Sequence, residues 1–268
     1  MANLESYRRY LEGSGNGLHF GVCLDQGQKK TMEDSHTASV ALDGSFSSWS
    51  FFGVYDGHRG DTVSQYCAAH LLRCIMNTEE ISQLYEEVLP AQEKDDLIRR
   101  GLVKGFLRVD EELRQLSEIQ SGAVQGGSTA TCALVTPEWI YLANCGDSRG
   151  MIVSQQGTVV LATRDHKPNT KTERQRIERA GLSVERGRVV GVVNSRIAMS
   201  RSLGDFRYKA ASTLDALQQA VSPEPDIFRW SRTAQDEFIV LASDGVWDTL
   251  SNDGVCGVIR RGLQFTND

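Results

Sequence analysis

The sequence predicts an antiparallel α+β fold, and three observations carry that expectation. Apolar runs of strand length follow one another through short turns, and the helical patterns are grouped between them instead of alternating strand by strand. Several of these runs also stop abruptly on glycine beside an aspartate. Two stacked sheets with helices outside would bury both faces of each sheet.

Each element has its own signal. Leu18, Phe20, Val22 and Leu24 alternate over residues 18–24 and share one strand face. WSFFGVYDGH (49–58) reads as a buried strand ending at Asp56-Gly57. Val63, Tyr66, Cys67, Leu71, Cys74 and Ile75 then form a helical stripe over 61–76, with Asp61 placed as its N-cap. A longer helix is expected over 94–116 from the spacing of Ile98, Leu102, Phe106, Val109, Leu113 and Leu116. STATCALVT, EWIYLANC and GMIVSQQGTVVLAT return to strand patterns, the last folded as a hairpin at Gln156-Gly157. KTERQRIERAGL (171–182) predicts a short basic helix closed by Gly181. The strands RVVGVV, RIAMS and EFIVLAS complete the series.

Composition excludes several classes of function. The 268 residues are 40% hydrophobic and 24% charged, enough for a proper core. No Pro/Gly/Ser-rich linker or fixed-period repeat divides them, so one domain spanning 1–268 is expected, as a monomer. A net charge of −6 argues against nucleic acid as a partner. No apolar run approaches the ~20 residues that span a bilayer, and the N-terminus resembles neither a secretory signal nor a myristoylation site. The six cysteines are scattered, without a Cys-x-x-Cys pair, and sit mostly in apolar segments. Reduced buried thiols in a cytoplasmic or nuclear protein fit that pattern.

The chemistry is carried by carboxylates at strand ends. Glu33 and Asp34 lie in KKTMEDSH, Asp56 in VYDGH, Asp147 in NCGDSR and Asp244 in LASDGVWD; Asp205, in SLGDFRY, sits on a loop. One Asp-Gly is ordinarily a turn. Several at the ends of apolar strands point to oxygen ligands for Mg2+ or Mn2+, with the Gly57 carbonyl as a further donor. His58 fits a ligand, a general acid or a packed loop residue, and the lack of a neighbouring Cys or second His makes zinc the weakest option. Lys29 and Lys30 fit either anion binding over the cluster or ordinary solvation. The other four histidines carry no such signal.

Taken in order, KKTMEDSH, VYDGHRG, GGSTATCALV, LANCGDSR, DHKP, SRSLGDFRYK, SPEPDI and LASDGVWD resemble the metal-dependent (type 2C) serine/threonine protein phosphatases over about residues 21–255. The resemblance implies a four-layer α-β-β-α sandwich of two antiparallel sheets. It implies that Asp56 bridges two Mg2+ or Mn2+ ions, that Gly57 and Glu33 serve one ion, and that Asp244 serves the other. Asp147 and Asp205 are implied at a third, looser ion. His58 is implied as general acid, Lys29 as the phosphate-binding cation, and residues 166–210 as a flap beside the cleft. Phosphorylated proteins are the implied partners. In two-metal hydrolysis the cations activate a water and stabilise the phosphoryl oxygens.

Two departures from the family pattern stand out. Lys29 replaces the usual arginine and lacks its bidentate fork, and Arg59 replaces the glycine after Asp-Gly-His. The family core also continues past the helix at 252–263 to a strand bearing an Asp-Asn pair, whose aspartate completes a metal site. Asn267-Asp268 does not match it, so either the sequence is a truncated form or the protein lacks a ligand and a strand, which would leave a sheet edge unpaired. These departures keep a second reading open: a catalytically impaired pseudophosphatase acting as a binding scaffold.

Overall fold

The computed structural model describes residues 8–85, 89–191 and 195–265. Val192 and Val193 of RVVGVV, and the Asn267-Asp268 pair, lie outside those residues. A five-stranded antiparallel sheet forms the centre, in the order Asp226–Ser231, Trp139–Cys145, Ala130–Val135, Ser50–Tyr55, Ser35–Ser39. Successive side chains on a strand point to opposite faces, which splits this sheet into two cores. Phe51, Tyr55, Cys132, Leu134 and Tyr141 pack on one side against helices Thr62–Met76 and Ala91–Arg114. Ala133, Val135, Ile140 and Leu142 face the other way, onto Ile152, Ile239 and Leu241 of a second sheet.

That second antiparallel sheet runs Val159–Ala162, Arg149–Ser154, Asp236–Ala242. Its outer face carries Met151 and Val153 onto Trp247, Val255 and Cys256, the latter two from helix Asn252–Phe265. The layers are therefore helix, sheet, sheet, helix, as the sequence resemblance implied. Strand Asp236–Ala242 pairs with Arg149–Ser154 on one side, and no strand lies on its other side among the described residues. No helix among those residues is long and apolar enough to cross a membrane.

Local signals are realised with some differences. Asp61 precedes helix Thr62–Met76, but its carboxylate accepts from Gln65 Nε2 at 2.7 Å and caps no backbone amide. The Gln156-Gly157 turn joins two paired strands, with Gly157 at φ +77°. Helix Lys171–Arg179 ends as expected at Gly181, at φ +84°. Its last carbonyls accept from Gly181 and Leu182, both at 3.1 Å. An N-terminal hairpin, Arg8–Gly15 with Leu18–Asp25, was not signalled by apolar alternation because its first strand is largely exposed. Its Asn16-Gly17 turn, at φ +51° and +71°, was the available clue.

Within the expected flap, helix Lys171–Arg179 packs on a small sheet of Ser183–Glu185, Arg188–Val190 and Arg196–Ile197. Its core is Ile177, Val184, Val189, Ile197 and Tyr208. Beneath it, buried Glu173 binds Arg176 at 2.8 Å and Arg201 at 3.0 Å, and Arg201 continues to Asp226 at 3.0 Å. The two guanidiniums outweigh burial and hold the Glu173 carboxyl down at about 2.

The two large helices meet closely at Gly105, where a Cβ would strike the Ile75 backbone. Gly105→Ala should therefore destabilise the protein by about 1–3 kcal/mol, since overpacking outweighs the gain in helix propensity. Gly262→Ala, in a helix position with no neighbour in reach, should instead stabilise by up to ~1 kcal/mol. Urea denaturation of both variants checks the opposite signs.

Candidate active site

Three two-residue strands build the site floor. Gly57–His58 and Leu203–Gly204 both pair with Gly127–Ser128, bringing distant parts of the chain side by side. Glycine is required in this floor. A Cβ on Gly57 would meet the Glu33 carbonyl, and one on Gly127 would displace the Asp205 carboxylate. Thr129 locks Asp56 from both sides: its Oγ1 accepts from Asp56 N at 3.1 Å, and its N–H donates to the Asp56 carbonyl at 2.9 Å.

Carboxylates converge on Asp56. Its carboxyl is in hydrogen-bond contact with those of Asp34 and Asp244, and Asp147 stands within electrostatic reach. Burial, then Asp34, Asp244 and Asp147, pushes the Asp56 carboxyl up to about 8. Burial also raises Asp34, although Ser243 Oγ donates to it at 3.0 Å. Asp244 is raised by burial and by the charges of Asp147 and Asp248. Asp147, only 2% exposed, accepts from Lys167 Nζ at 2.6 Å through Oδ2.

The two neighbours in Met-Glu-Asp divide their work. Glu33 Oε1 accepts from Thr31 Oγ1 at 3.0 Å and from Gly60 N at 3.1 Å, fixing the loop after His58. Asp34 enters the carboxylate cluster. Adjacent residues in extended chain point to opposite sides, so only one of them faces Asp56.

His58 and Asp205 form a separate pair. The His58 Nε2 to Asp205 Oδ2 distance is 2.8 Å. Burial opposes protonation of His58, but the carboxylate outweighs it and raises the imidazole above its ordinary value. Asp205 is fully buried, takes the left-handed conformation at φ +51°, and accepts from Ser202 Oγ at 2.6 Å. The loop is braced by buried Asp110 on helix Ala91–Arg114, whose Oδ1 accepts from Gly204 N at 2.8 Å and Lys209 Nζ at 2.7 Å.

Cations stand on the rim. Lys29 is exposed on a turn closed by its N–H on the Gln26 carbonyl at 3.2 Å, and its charge favours ionised Asp34. Arg59 adopts φ +59° and donates to the Arg196 carbonyl at 3.3 Å, linking the His58 loop to strand Arg196–Ile197. Lys30 is exposed.

Residues 18–268 match the protein phosphatase 2C family. The chain belongs to that family. Protein phosphatase 1A of Homo sapiens is 42% identical over 258 residues, covering 96% of this chain and 65% of the relative. Protein phosphatase 1B of Bos taurus is 40% identical over 256 residues, covering 96% of this chain and 52% of the relative. The chain thus spans between about half and two thirds of these relatives. A serine-threonine phosphatase 2C from Toxoplasma gondii superposes with a TM-score of 0.78 at 22% identity, over 99% of this chain and 86% of that one. That likeness supports the phosphatase 2C fold.

The donor set of this phosphatase 2C member suits a hard cation. The converging groups are carboxylates beside a glycine carbonyl, and like charges so placed repel unless a cation or proton intervenes. An Asp147 Oδ1 that is buried with no hydrogen-bond partner among the described residues points the same way. Among the described residues no three His, Cys, Asp or Glu side chains are gathered closely enough to hold a metal ion by themselves. Mg2+ suits such an open arrangement because it keeps several waters of its own.

Reading the sequence alone placed Asp205 with the metal candidates and left Lys167 and His166 without a role. The His58 contact spans 147 residues, and only the tertiary structure supplies it.

A charge trapped at Asp56 has a signed consequence. Its raised carboxyl favours the folded state at low pH, and that contribution is lost as pH rises from the ordinary 3.8 through about 8. Metal-free Asp56→Asn should therefore melt above the metal-free parent by a margin that widens across that window. Millimolar Mn2+ should raise the parent's melting temperature more than the variant's. Thermal denaturation in EDTA and in Mn2+ reads both effects.

Proposed function

We propose that this chain hydrolyses phosphoserine and phosphothreonine in proteins, with Mg2+ or Mn2+ as cofactor. The observation that carries the reading is the convergence of Asp34, Asp244 and Asp147 on Asp56, directly beside the His58–Asp205 pair, in a member of the protein phosphatase 2C family. Asp56, the Gly57 carbonyl, Asp34 and Asp244 are the groups assigned to hold the ions. Glu33 acts one step back, through the Gly60 loop that it fixes. When bound, the cations would acidify water and offset charge on the phosphoryl oxygens.

The chain's own residues supply the rest. Asp205 accepts the Nε2 proton of His58, which leaves Nδ1–H to protonate the departing serine or threonine oxygen. Asp205 is accordingly assigned as a positioning residue for His58, a role that replaces the third-ion role first expected of it. Lys29 binds the substrate phosphate as a point charge, without the two-pronged fit of arginine. A phosphocysteine route has no support: burial raises the Cys67, Cys132 and Cys145 thiols, so thiolate is disfavoured at each.

Purified protein with millimolar Mn2+ should release phosphate from a phosphoserine peptide, and Asp56→Asn should abolish that release. No release from the peptide or from p-nitrophenyl phosphate would sink the hydrolase reading. A folded, inactive protein that binds no Mn2+ in the micromolar to millimolar range would then favour the scaffold.

The proton-donor assignment has its own readout. His58→Ala should lower turnover of phosphopeptides by about 10²–10⁴-fold, with a much smaller loss on p-nitrophenyl phosphate, whose leaving group departs unprotonated. Asp205→Asn should show the same imbalance with a smaller loss. Equal losses on both substrates would contradict the assignment.

A further inference from the structure

Lys167 places a positive charge where the carboxylate cluster is most enclosed. Asp147 lies between strands Trp139–Cys145 and Arg149–Ser154, and its Oδ2 takes the Lys167 ammonium at 2.6 Å. Its other oxygen, Oδ1, is buried and has no hydrogen-bond partner among the described residues. Asp147, Asp165 and Asp248 all favour the charged lysine, while the lysine favours ionised Asp244. The ammonium therefore stands in the combined field of several carboxylates.

Its position is built into the backbone. His166 N donates to the Gly146 carbonyl at 2.9 Å, and Gly146 N donates back to His166 Nδ1 at 3.1 Å. Ser200 N donates to the His166 carbonyl at 2.9 Å. Asp165 receives Arg149 through Nε and Nη2, both at 2.9 Å. With its neighbours clamped, Lys167 can leave Asp147 only by swinging its flexible stem outward. The side chain is 38% exposed, so water is within reach.

We propose that Lys167 is a built-in competitor of divalent cations at Asp147, so that an ion binds there only when the ammonium has been displaced. The inference rests on the reading that the carboxylates around Asp56 hold divalent cations. The physical basis is simple. Oδ1 is free, but a divalent ion on it would share one carboxylate with the ammonium on Oδ2, and the two like charges repel strongly at that separation. The ion brings twice the charge but must first displace a cation already neutralising the site. Asp147 would then be the last carboxylate to acquire metal, with occupancy set by the free cation concentration.

The test counts Mn2+ and does not depend on phosphatase activity. Metal-free wild type, Lys167→Met, Lys167→Arg and the double variant Lys167→Met/Asp147→Asn are titrated by calorimetry, with free Mn2+ followed by electron paramagnetic resonance. Lys167→Met should tighten the weakest site by about 10–100-fold, the scale typical of groups that tune metal ligands. Lys167→Arg should behave like wild type, and adding Asp147→Asn should remove the gain.

A second readout uses wild type alone, in case Lys167→Met fails to fold. Reductive methylation of Lys167, quantified by mass spectrometry, should be slow at low Mn2+ and rise as the weakest site fills. Mn2+ binding that is unchanged in Lys167→Met, or labelling that ignores Mn2+, overturns the inference alone. Absence of Mn2+ binding in every protein overturns the cation reading with it.

Discussion

Crowding carboxylates at the end of a buried sheet is the constraint on which the site depends. Asp56 is fixed through its own backbone, because Thr129 holds both its amide and its carbonyl. It cannot turn away from Asp34 and Asp244, and the repulsion is relieved only by a proton or a cation. The sheet that imposes this cost is apolar on both faces, so the strand ends cannot shift without disturbing two cores at once. Fold stability and the proposed cation binding are thus coupled through the same strand.

A second support runs through the helical layer. Asp110 projects from a helix whose buried face is apolar apart from it and Asp95, and it receives Gly204 N and Lys209 Nζ. This ion pair is completed by hydrogen bonds that fix its geometry, although burial outweighs them and leaves the Asp110 carboxyl above its ordinary value. It fixes the loop that carries Asp205, and Asp205 in turn orients His58. The chain of contacts links the outer helix to the imidazole through buried polar groups, of which Asp205 Oδ1 has no hydrogen-bond partner among the described residues.

Much of the architecture was legible because burial imposes periodicity. Phe51 and Tyr55, or Ile98, Leu102 and Phe106, announce their elements by spacing alone, and all are buried as expected. The hairpin of Arg8–Gly15 was not legible in that way, because an exposed strand has no apolar face to reveal it. The site was partly legible too. Asp56, Asp147 and Asp244 stand at ends of apolar runs, whereas Asp205 sits on a loop whose partner is 147 residues away.

Local spacing and residue type are enough to indicate stacked sheets with helices outside, strand-end carboxylates and an oxygen-rich chemistry. The packing of distant segments settles how those residues are shared out. It turned Asp34 toward Asp56 and Glu33 toward Gly60, set Asp205 against His58, and laid Lys167 on Asp147. The physical reason is common to all: a carboxylate's role is set by the charge or donor it meets, and these partners come from elements that one strand's pattern does not encode.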